Sequence, residues 1–326
     1  MHLKQNIKFS IIMPFYNSAA YIENAVKSVL NQTYRNFELI AVNDGSKDNS
    51  AEIVKELFKD QQDKLILLEK ENGGYVSAVN FGLDNISGDY FMFMGSDDQL
   101  DLNILQKVAD NIENELPDLI GFNTLKVWPD KQEVEEYTKI EKKIMSSNTN
   151  VVDFSNEYKK ESRIFSLRDT SKIYKSSLLG DLRYFGKYGY DADGIFTMLF
   201  ARKSSSFMCL PEIGYYWTLR KDSLSGKKPS EQVNIDRVQN WLSFYSNVIN
   251  KKELSMHEIS YYSHVLNLLM ETAEQGKELL KYHKQEFKEL SKLLIIFNKN
   301  SRFLNWKRKL FLKHPKIYLS LRKVKH

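Results

Sequence analysis

The chain has 326 residues, of which 42% are hydrophobic and 13% aromatic, and its formal net charge is +5. This composition can bury a core, so it excludes a wholly disordered chain. The single cysteine, Cys209, excludes an intrachain disulfide and favours a reducing compartment. No apolar run reaches the roughly 20 residues of a membrane-spanning helix, and Pro14 interrupts the first apolar run too early for a signal peptide. We therefore expect a soluble or peripheral protein.

The first hundred residues alternate short apolar runs with helical patterns. Pro14 is expected to end the first strand, and Asn17 or Ser18 to cap the first helix. The alternation predicts βαβ units, a parallel sheet and polar loops gathered at one edge. Strands are expected at residues 8–13, 37–42, 65–68 and 89–94, with helices after each of the first three strands, the third opening at Asn72-Gly73-Gly74 and running through Leu83.

Two common phosphate-binding motifs are absent from this sheet. Gly-x-Gly-x-x-Gly does not follow the first strand, and no Gly-x-x-x-x-Gly-Lys-Ser/Thr sequence occurs. Hydride transfer and P-loop chemistry are therefore disfavoured.

An acidic pair follows the fourth strand, in the sequence Gly95-Ser96-Asp97-Asp98. Two adjacent carboxylates repel each other, and a hard divalent cation relieves that repulsion. Ligands bind at the carboxyl ends of strands in open α/β sheets, which is where this pair falls. The alternative is that one aspartate caps a helix that begins near Leu100 and runs through Ile112.

The second half of the chain carries a less regular pattern. Residues 118–122, 172–174 and 207–210 are expected strands, and residues 128–160 are interpreted as a variable insertion. Asp191 and Asp193 precede a helix that carries Phe196, and either carboxylate could simply be an N-cap. Arg220 and Lys221 could close on a phosphate or could be the solvated end of an aromatic strand.

Five ordered blocks together resemble the inverting family 2 glycosyltransferases, which have the GT-A fold. The resemblance covers about Ile7 to Ser225, and no single block is as specific as the set. The blocks are Ser10-Ile11-Ile12-Met13-Pro14-Phe15-Tyr16-Asn17, Ser28 to Tyr34, Val42-Asn43-Asp44-Gly45-Ser46-Lys47-Asp48, Asn72-Gly73-Gly74 through Gly82, and Gly95 to Asp98.

The resemblance implies a Rossmann-like, mostly parallel half-sheet and a metal-dependent transfer from a nucleotide-sugar donor, with a UDP-sugar favoured. Asp44 would contact the base, Asp97 would reach a Mn²⁺ or Mg²⁺ ion on the diphosphate with Asp98 beside it, and Asp193 would be the catalytic base. The implied donor-binding residues are Pro14, Tyr16, Asn17, Asp44, Asn72, Gly73, Ser96, Asp97 and Arg220.

Four positions depart from the family pattern. Gly95 replaces the first acidic residue of Asp-Ser-Asp-Asp, Ala192 replaces Glu beside the base, Val79 replaces a frequent Arg, and Arg220 stands where His is common. Two rivals follow from these departures and from the fold. One is a non-catalytic partner subunit, and the other is a sugar-phosphate nucleotidyltransferase, which usually needs a basic Gly-rich loop that Pro14-Phe15-Tyr16-Asn17 lacks.

The last hundred residues differ from the rest. We expect a GT-A domain at 1–228 and a helical extension at 229–326 that ends in a basic amphipathic segment from about Ser301. After Glu289 the chain has no acidic residue, and Phe303, Leu304 and Trp306 interleave with many lysines and arginines. This pattern favours an anionic membrane surface at the inner face of the cell membrane and a glycan acceptor carried on a lipid. A helix packed on the catalytic domain is the alternative, and nucleic acid is disfavoured as a partner.

Overall fold

The computed structural model describes residues 6–112, 116–135, 143–146, 168–186 and 191–220, together with Val233, Arg237 and Asn240. The chain separates into two compact units, Met1–Lys227 and Lys228–His326. The predicted helical extension and its basic segment lie almost wholly outside the described residues. None of the described helices is long and apolar enough to cross a membrane.

The first unit is built on one ten-stranded sheet flanked by helices. Its helices are α1 (Ile22–Leu30), α2 (Ser50–Leu57), α3 (Tyr75–Leu83), α4 (Ile104–Ile112) and α5 (Ala192–Lys203). Its strands are β1 (Phe9–Phe15), β2 (Phe37–Asn43), β3 (Leu65–Glu69), β4 (Tyr90–Phe93), β5 (Gln99–Leu100), β6 (Leu119–Val127), β7 (Gln132–Glu135), β8 (Lys143–Ser146), β9 (Lys172–Lys175) and β10 (Ser206–Thr218).

The sheet runs in the order β3-β2-β1-β4-β9-β6-β10-β5, with β7 beside β6 and β8 beside β10. The first four strands in this order are mutually parallel, and β10 is parallel to β6. β9 is antiparallel to both of its neighbours, β4 and β6. The predicted α/β sheet is confirmed, but it is mixed: among the described strands four pairings are parallel and five are antiparallel. The βαβ units of its parallel half bring the loops after β1, β2 and β4 to one edge.

Pro14 does not end the first strand, so that prediction is wrong. β1 continues to Phe15, and Pro14 lies opposite Val42 of β2. Proline is tolerated there because β4 is shorter than β1. The last paired residue of β4 is Phe93, opposite Ile12, and the Met94 amide closes the ladder on the carbonyl of Ile12. No strand therefore requires an amide hydrogen from position 14.

Two helix starts also differ from the prediction. α1 begins at Ile22 with Tyr21 in the cap position and no side-chain capping bond, so neither Asn17 nor Ser18 caps it. α4 begins at Ile104, well after the acidic pair, so the capping alternative for Asp97 and Asp98 is wrong. The intervening residues form β5, which pairs antiparallel with Tyr215 and Tyr216 of β10.

The interpretation of residues 128–160 as a variable insertion stays a prediction. Two segments within it extend the sheet, since β7 returns along β6 and β8 pairs with the start of β10. Residues 136–142 and 147–160 lie outside the described residues. β10 is longer than predicted because the expected strand at 207–210 and the aromatic stretch after Gly214 form one continuous strand with shifts of register near Ile213.

An aromatic layer supports α5 on one face of the sheet. Phe91 and Phe93 of β4 pack against Tyr174 of β9 and against Phe196 of α5, with ring centroids 5.2 to 6.3 Å apart. These rings are almost fully buried. Since buried aromatic rings contribute much of the apolar area of a core, this layer fixes where the first turn of α5 lies over the sheet.

Candidate functional site

The loops after β1, β2 and β4 are joined by hydrogen bonds at the carboxyl edge of the sheet. The Asn17 side chain accepts a bond from the Lys47 amide at 2.8 Å, and the Asn17 amide donates to the Ser46 hydroxyl at 3.0 Å. The hydroxyls of Ser18 and Ser96 lie 2.9 Å apart. Side chains expected to cap α1 therefore hold neighbouring loops together, and Asn17 takes the left-handed backbone conformation (φ 48°) that asparagine tolerates.

The buried carboxylate of Asp44 organises the loop after β3. One oxygen accepts bonds from the Lys70 ammonium at 2.8 Å and the Gly73 amide at 2.9 Å, and the other accepts from the Gly74 amide at 2.8 Å. Charge-assisted bonds of this kind are strong. Asp44 therefore fixes the entry to α3 and brings Gly73 beside the loop after β2.

Three other predicted donor-binding residues surround this position. Pro14 is buried within β1, whereas Tyr16 is 49% exposed just beyond the end of that strand. Asn72 is exposed, and its backbone approaches Gly45 so closely that a Cβ on Gly45 would lie 2.9 Å from the Asn72 nitrogen. The structure thus brings Tyr16, Asp44, Asn72 and Gly73 to one end of the edge.

Asp98 joins the loop after β4 to strand β10. Its carboxylate accepts a bond from the Tyr215 hydroxyl at 2.6 Å and from the Thr218 amide at 2.8 Å. The same Tyr215 hydroxyl accepts a bond from the Gly95 amide at 3.0 Å. Burial, and then the negative charge of Asp97, raise the pKa of Asp98 to about 7.

Asp97 lies beside a cation that arrives from the end of β10. The Arg220 guanidinium donates to the Asp97 carboxylate at 2.6 Å, and its central carbon lies 3.6 Å from the centre of the Tyr21 ring. The predicted donor-binding residues Asp97 and Arg220 are therefore in direct contact, although they are far apart in sequence. Lys221, the other half of the predicted basic loop, lies outside the described residues.

Gly95 leaves room for both carboxylates. A Cβ at this position would lie 2.6 Å from an oxygen of Asp98 and 3.1 Å from an oxygen of Asp97. A contact under 3.0 Å forces something to move, so a side chain at residue 95 would displace Asp98 from its bond to Tyr215. The departure from an acidic residue at this position therefore has a steric basis.

Asp193 lies in the first turn of α5, partly buried. Its carboxylate accepts a bond from the Gly194 amide at 2.8 Å. Burial raises the pKa of Asp193 well above its ordinary value, and the negative charges of Asp169 and Asp191 raise it further. Asp191 occupies the cap position in the left-handed conformation (φ 61°) and makes no side-chain capping bond.

A polar group that no sequence pattern indicates enters the site from the segment before β9. Asp169 is buried, and Arg168 lies with its guanidinium carbon 3.6 Å from the centre of the Trp217 ring. The positive charge of Arg168 lowers the pKa of both Asp98 and Asp193, although burial outweighs it at each site. β9 runs antiparallel to β4, so residues before β9 meet residues after β4. That strand direction is the signal, and no spacing in the sequence shows it.

A divalent ion would find two carboxylates here. No group of three or more His, Cys, Asp or Glu residues is placed to hold a metal within the part of the chain that the structure describes. Asp98 already accepts two bonds and Asp97 accepts one from Arg220. Mg²⁺ usually keeps several waters and binds through one or two carboxylates plus substrate phosphates. The donor set therefore fits an ion that arrives with a diphosphate, not a dedicated protein cage.

A mixed sheet whose parallel half carries acidic and basic side chains at its carboxyl edge is typical of α/β proteins of the GT-A type. The model of the family described as Glycosyl transferase family 2 matches residues 10–182, and the chain belongs to this family.

Two relatives extend the match. The glycosyltransferase GlyA of Streptococcus pneumoniae is 33% identical over 67% of this chain and 31% of its own length. The minor teichoic acid biosynthesis protein GgaB of Bacillus subtilis is 27% identical over 69% of this chain and 24% of its own length. The chain thus spans about a third or less of these relatives.

Solved structures share the fold at low identity. Residues 1–349 of S. aureus TarS, in complex with UDP-GlcNAc, superpose with a TM-score of 0.68 and 21% identity, covering 96% of this chain and 88% of that one. The mannosyltransferase PcManGT from Pyrobaculum calidifontis, in complex with GDP-Man and Mn²⁺, gives a TM-score of 0.52 and 15% identity, covering 97% and 86%. These likenesses establish the fold.

We predict that Tyr215→Phe lowers the free energy of unfolding by about 1–3 kcal/mol, because it removes the partner of the Gly95 amide and one of the two bonds to the buried Asp98 carboxylate. Chemical denaturation measures the change. Tyr216→Phe is the matched control, since its hydroxyl makes a longer bond of 3.4 Å to Asp101 near the surface. Equal losses for the two variants would contradict this account of Asp98.

Proposed function

We propose that the chain transfers a sugar from a nucleotide-diphosphate donor to a hydroxyl of a glycan acceptor, with inversion at the anomeric carbon. The observation that carries the proposal is a group of charged side chains beyond the carboxyl ends of the strands, where ligands of α/β proteins bind. Arg220 contacts Asp97, and Arg168 and Tyr75 each interact electrostatically with both Asp98 and Asp193. A carboxylate with a raised pKa suits proton removal near neutral pH.

The donor would lie along the edge from Asp44 to Arg220. The base would meet the loops carrying Tyr16, Asp44 and Gly73, and the diphosphate would meet Arg220, whose planar guanidinium suits phosphate oxygens. The Asp44 carboxylate would accept a further bond from an N–H group of the base, beside those from the Gly73 and Gly74 amides. UDP-GlcNAc bound to TarS supports a UDP-sugar.

The reaction would be a single displacement. An acceptor oxygen forms a bond to the anomeric carbon while the bond from that carbon to the diphosphate oxygen breaks on the opposite face, so the configuration inverts. Asp193 takes the proton from the acceptor hydroxyl, and the nucleoside diphosphate leaves with the electron pair. Arg220 stabilises the negative charge that develops on the leaving group.

Asp97, supported by Asp98, would hold a Mn²⁺ or Mg²⁺ ion. Such an ion supplies charge stabilisation to a departing diphosphate. Arg220 occupies one Asp97 oxygen, so this arginine would shift toward the phosphates when the ion and donor bind. The PcManGT complex with GDP-Man and Mn²⁺ supports the use of an ion on this fold.

The rival proposal of a non-catalytic partner subunit rests on Gly95 and Ala192. The close approach of both carboxylates accounts for Gly95. Ala192 is fully buried against the aromatic layer under α5, where a glutamate would bring an unpaired charge. Both departures follow from packing and leave Asp97 and Asp193 in place, so an active enzyme is favoured.

Two observations support the proposed acceptor and its location, one from the relatives and one from the C-terminal sequence. The name of GgaB supports a role in cell-wall polysaccharide synthesis. The basic, aromatic sequence from Ser301 onward supports docking on an anionic membrane, where a lipid-linked glycan would be presented at the cytoplasmic face.

We predict that Asp193→Asn lowers turnover by about 10²–10⁴-fold, because the amide cannot take the acceptor proton. UDP binding should stay nearly unchanged in calorimetry, since the diphosphate contacts remain. Release of UDP from UDP-glucose, UDP-galactose and UDP-GlcNAc measures turnover. Asp191→Asn is the control and should stay active; an active Asp193→Asn beside an inactive Asp191→Asn would reverse the two roles.

We predict that Asp97→Asn lowers Mn²⁺-dependent turnover by roughly a hundredfold or more, since the ion loses its anionic ligand. The circular dichroism spectrum should stay unchanged. The same assay with a Mn²⁺ titration measures the effect. Asp101→Asn is the control, because that carboxylate contacts the Tyr216 hydroxyl and lies outside the proposed site. Full Mn²⁺ activation in Asp97→Asn would refute this ligand.

We predict that replacing Lys307, Arg308 and Lys309 with Gln weakens binding to anionic vesicles by roughly a hundredfold at low salt, at about 1 kcal/mol per charge. Sedimentation with phosphatidylglycerol vesicles measures binding. Replacing the exposed Lys27, Lys55 and Lys59 is the matched control and should have little effect. Equal losses for both triples, or no binding by the unmodified chain, would exclude a C-terminal anchor.

A further inference from the structure

A buried acid outside the predicted donor site lies beside the proposed base. Asp169 is 3% exposed, and neither the donor contacts nor the proton transfer proposed above use it. One of its oxygens accepts a bond from the Thr170 amide at 2.7 Å. The other accepts bonds from two tyrosine hydroxyls, that of Tyr184 and, at 3.4 Å, that of Tyr75.

These two tyrosines tie Asp169 to α3. Tyr75 opens that helix, and Tyr184 is fastened to Asn80 by two bonds: the Tyr184 amide donates to the Asn80 side chain at 2.7 Å, and that side chain donates back to the Tyr184 carbonyl at 3.0 Å. The orientation of the Asp169 carboxylate is therefore set by a helix that begins at the donor-site loop.

Asp169 is also connected to α5, through Tyr184 and Tyr174. The Tyr184 ring stacks on Phe196 with centroids 4.9 Å apart. The Tyr174 hydroxyl lies 3.1 Å from the Asp169 carbonyl, to which it donates, and 3.0 Å from the Thr197 hydroxyl. Two tyrosines thus connect Asp169 with the first two turns of α5, the helix that carries Asp193.

We propose that Asp169 is a positioning residue for Asp193: through Tyr174 and Tyr184 it fixes the start of α5, and it places a second negative charge beside the base. The proposal rests on the proposed function, in which Asp193 removes the acceptor proton. Asp169 itself is buried behind its tyrosines and does not touch the substrate.

The charged groups around Asp193 determine whether loss of the Asp169 charge raises or lowers the pKa of Asp193. Asp193 faces Asp169 and Arg168 from the segment before β9 and Asp191 from its own helix, and its charge also acts on the hydroxyls of Tyr75 and Tyr174. Among these groups, Asp169 is the largest electrostatic cause that raises the pKa of Asp193. Removing the Asp169 charge therefore lowers the pKa of Asp193.

Asp169 must be ionised to act in this way. Burial raises the pKa of Asp169 to about 6, and the opposing influences include the Thr170 amide, the charge of Lys172 and the Tyr75 hydroxyl. Above about that pH the group carries its charge, because its donors and Lys172 offset part of the burial. Asp169 is thus ionised at neutral pH, where the base is required to work.

Asp169→Asn tests the proposal, since it preserves shape and removes the charge. In the UDP-release assay across pH 5–9, the acidic limb of the kcat/KM profile should move to lower pH by about one unit or more. Asp118→Asn is the matched control, because Asp118 is also a buried acid but bonds to Ser205 and Ser206, which follow the C-terminal end of α5, the end opposite to Asp193. Its acidic limb should not move.

A second variant and a direct titration keep the test decisive if Asp169→Asn misfolds or turns over too slowly to measure. Tyr184→Phe keeps the Asp169 carboxylate but removes a donor that stabilises its ionised form, so the limb should move in the same direction by less. Carbon-13 titration of the aspartate carboxyls, with the Asp193 signal assigned from its loss in Asp193→Asn, reports the Asp193 pKa without turnover.

Two results distinguish failure of the proposed role of Asp169 from failure of the proposed function on which it rests. An inactive Asp193→Asn together with an unshifted limb and an unshifted Asp193 titration in Asp169→Asn would overturn the role of Asp169 alone. A fully active Asp193→Asn would overturn the base, and with it both proposals. A rate loss in Asp169→Asn without a shift would mean that the residue only stabilises the fold.

Discussion

The site depends on the two hydrogen bonds that the hydroxyl of Tyr215 makes. It accepts a bond from the Gly95 amide and donates to Asp98, so one buried group joins the loop after β4 to a strand more than a hundred residues later. Because the Thr218 amide bonds the same carboxylate, the chain leaves β10 in a fixed direction and delivers Arg220 to Asp97. Without the Tyr215 hydroxyl, the Gly95 amide would lose its partner and Asp98 would keep the bond from the Thr218 amide but lose its bond to Tyr215.

The second constraint is electrostatic. Burial raises the pKa of Asp98, Asp169 and Asp193, and the negative charge of neighbouring carboxylates raises the pKa of Asp98 and Asp193 further. Arg168 and Arg220, each stacked on an aromatic ring, supply positive charge between and beside them. Burying several charged groups together costs free energy, because each loses contact with water. A polyanionic donor with a divalent ion would add both negative and positive charge to the site. The aromatic layer below α5 supplies the rigidity that holds the arrangement.

Much of the first half of the site could be predicted because the βαβ alternation fixes it. Once β1, β2 and β4 are parallel neighbours, the residues that follow them must share an edge, and Tyr16, Asp44 and Asp97 do. The predictions for Pro14 and Ser18 were wrong because tertiary contacts outweigh the local preference of each residue type. Pro14 continues a strand because its neighbour is shorter, and Ser18 bonds another loop although its residue type suits a helix cap.

The sequence by itself determined the class of the fold, the family and the identity of the acidic pair, because strand and helix periodicity and short ordered motifs are local properties of the chain. Only the tertiary structure decided which groups surround those residues. Asp169 enters the site because β9 runs antiparallel, and Asp98 lies close over Gly95 while Tyr215, from β10, bonds its carboxylate. Contacts of this kind depend on strand direction and on partners that are distant in the sequence, and no local pattern encodes either.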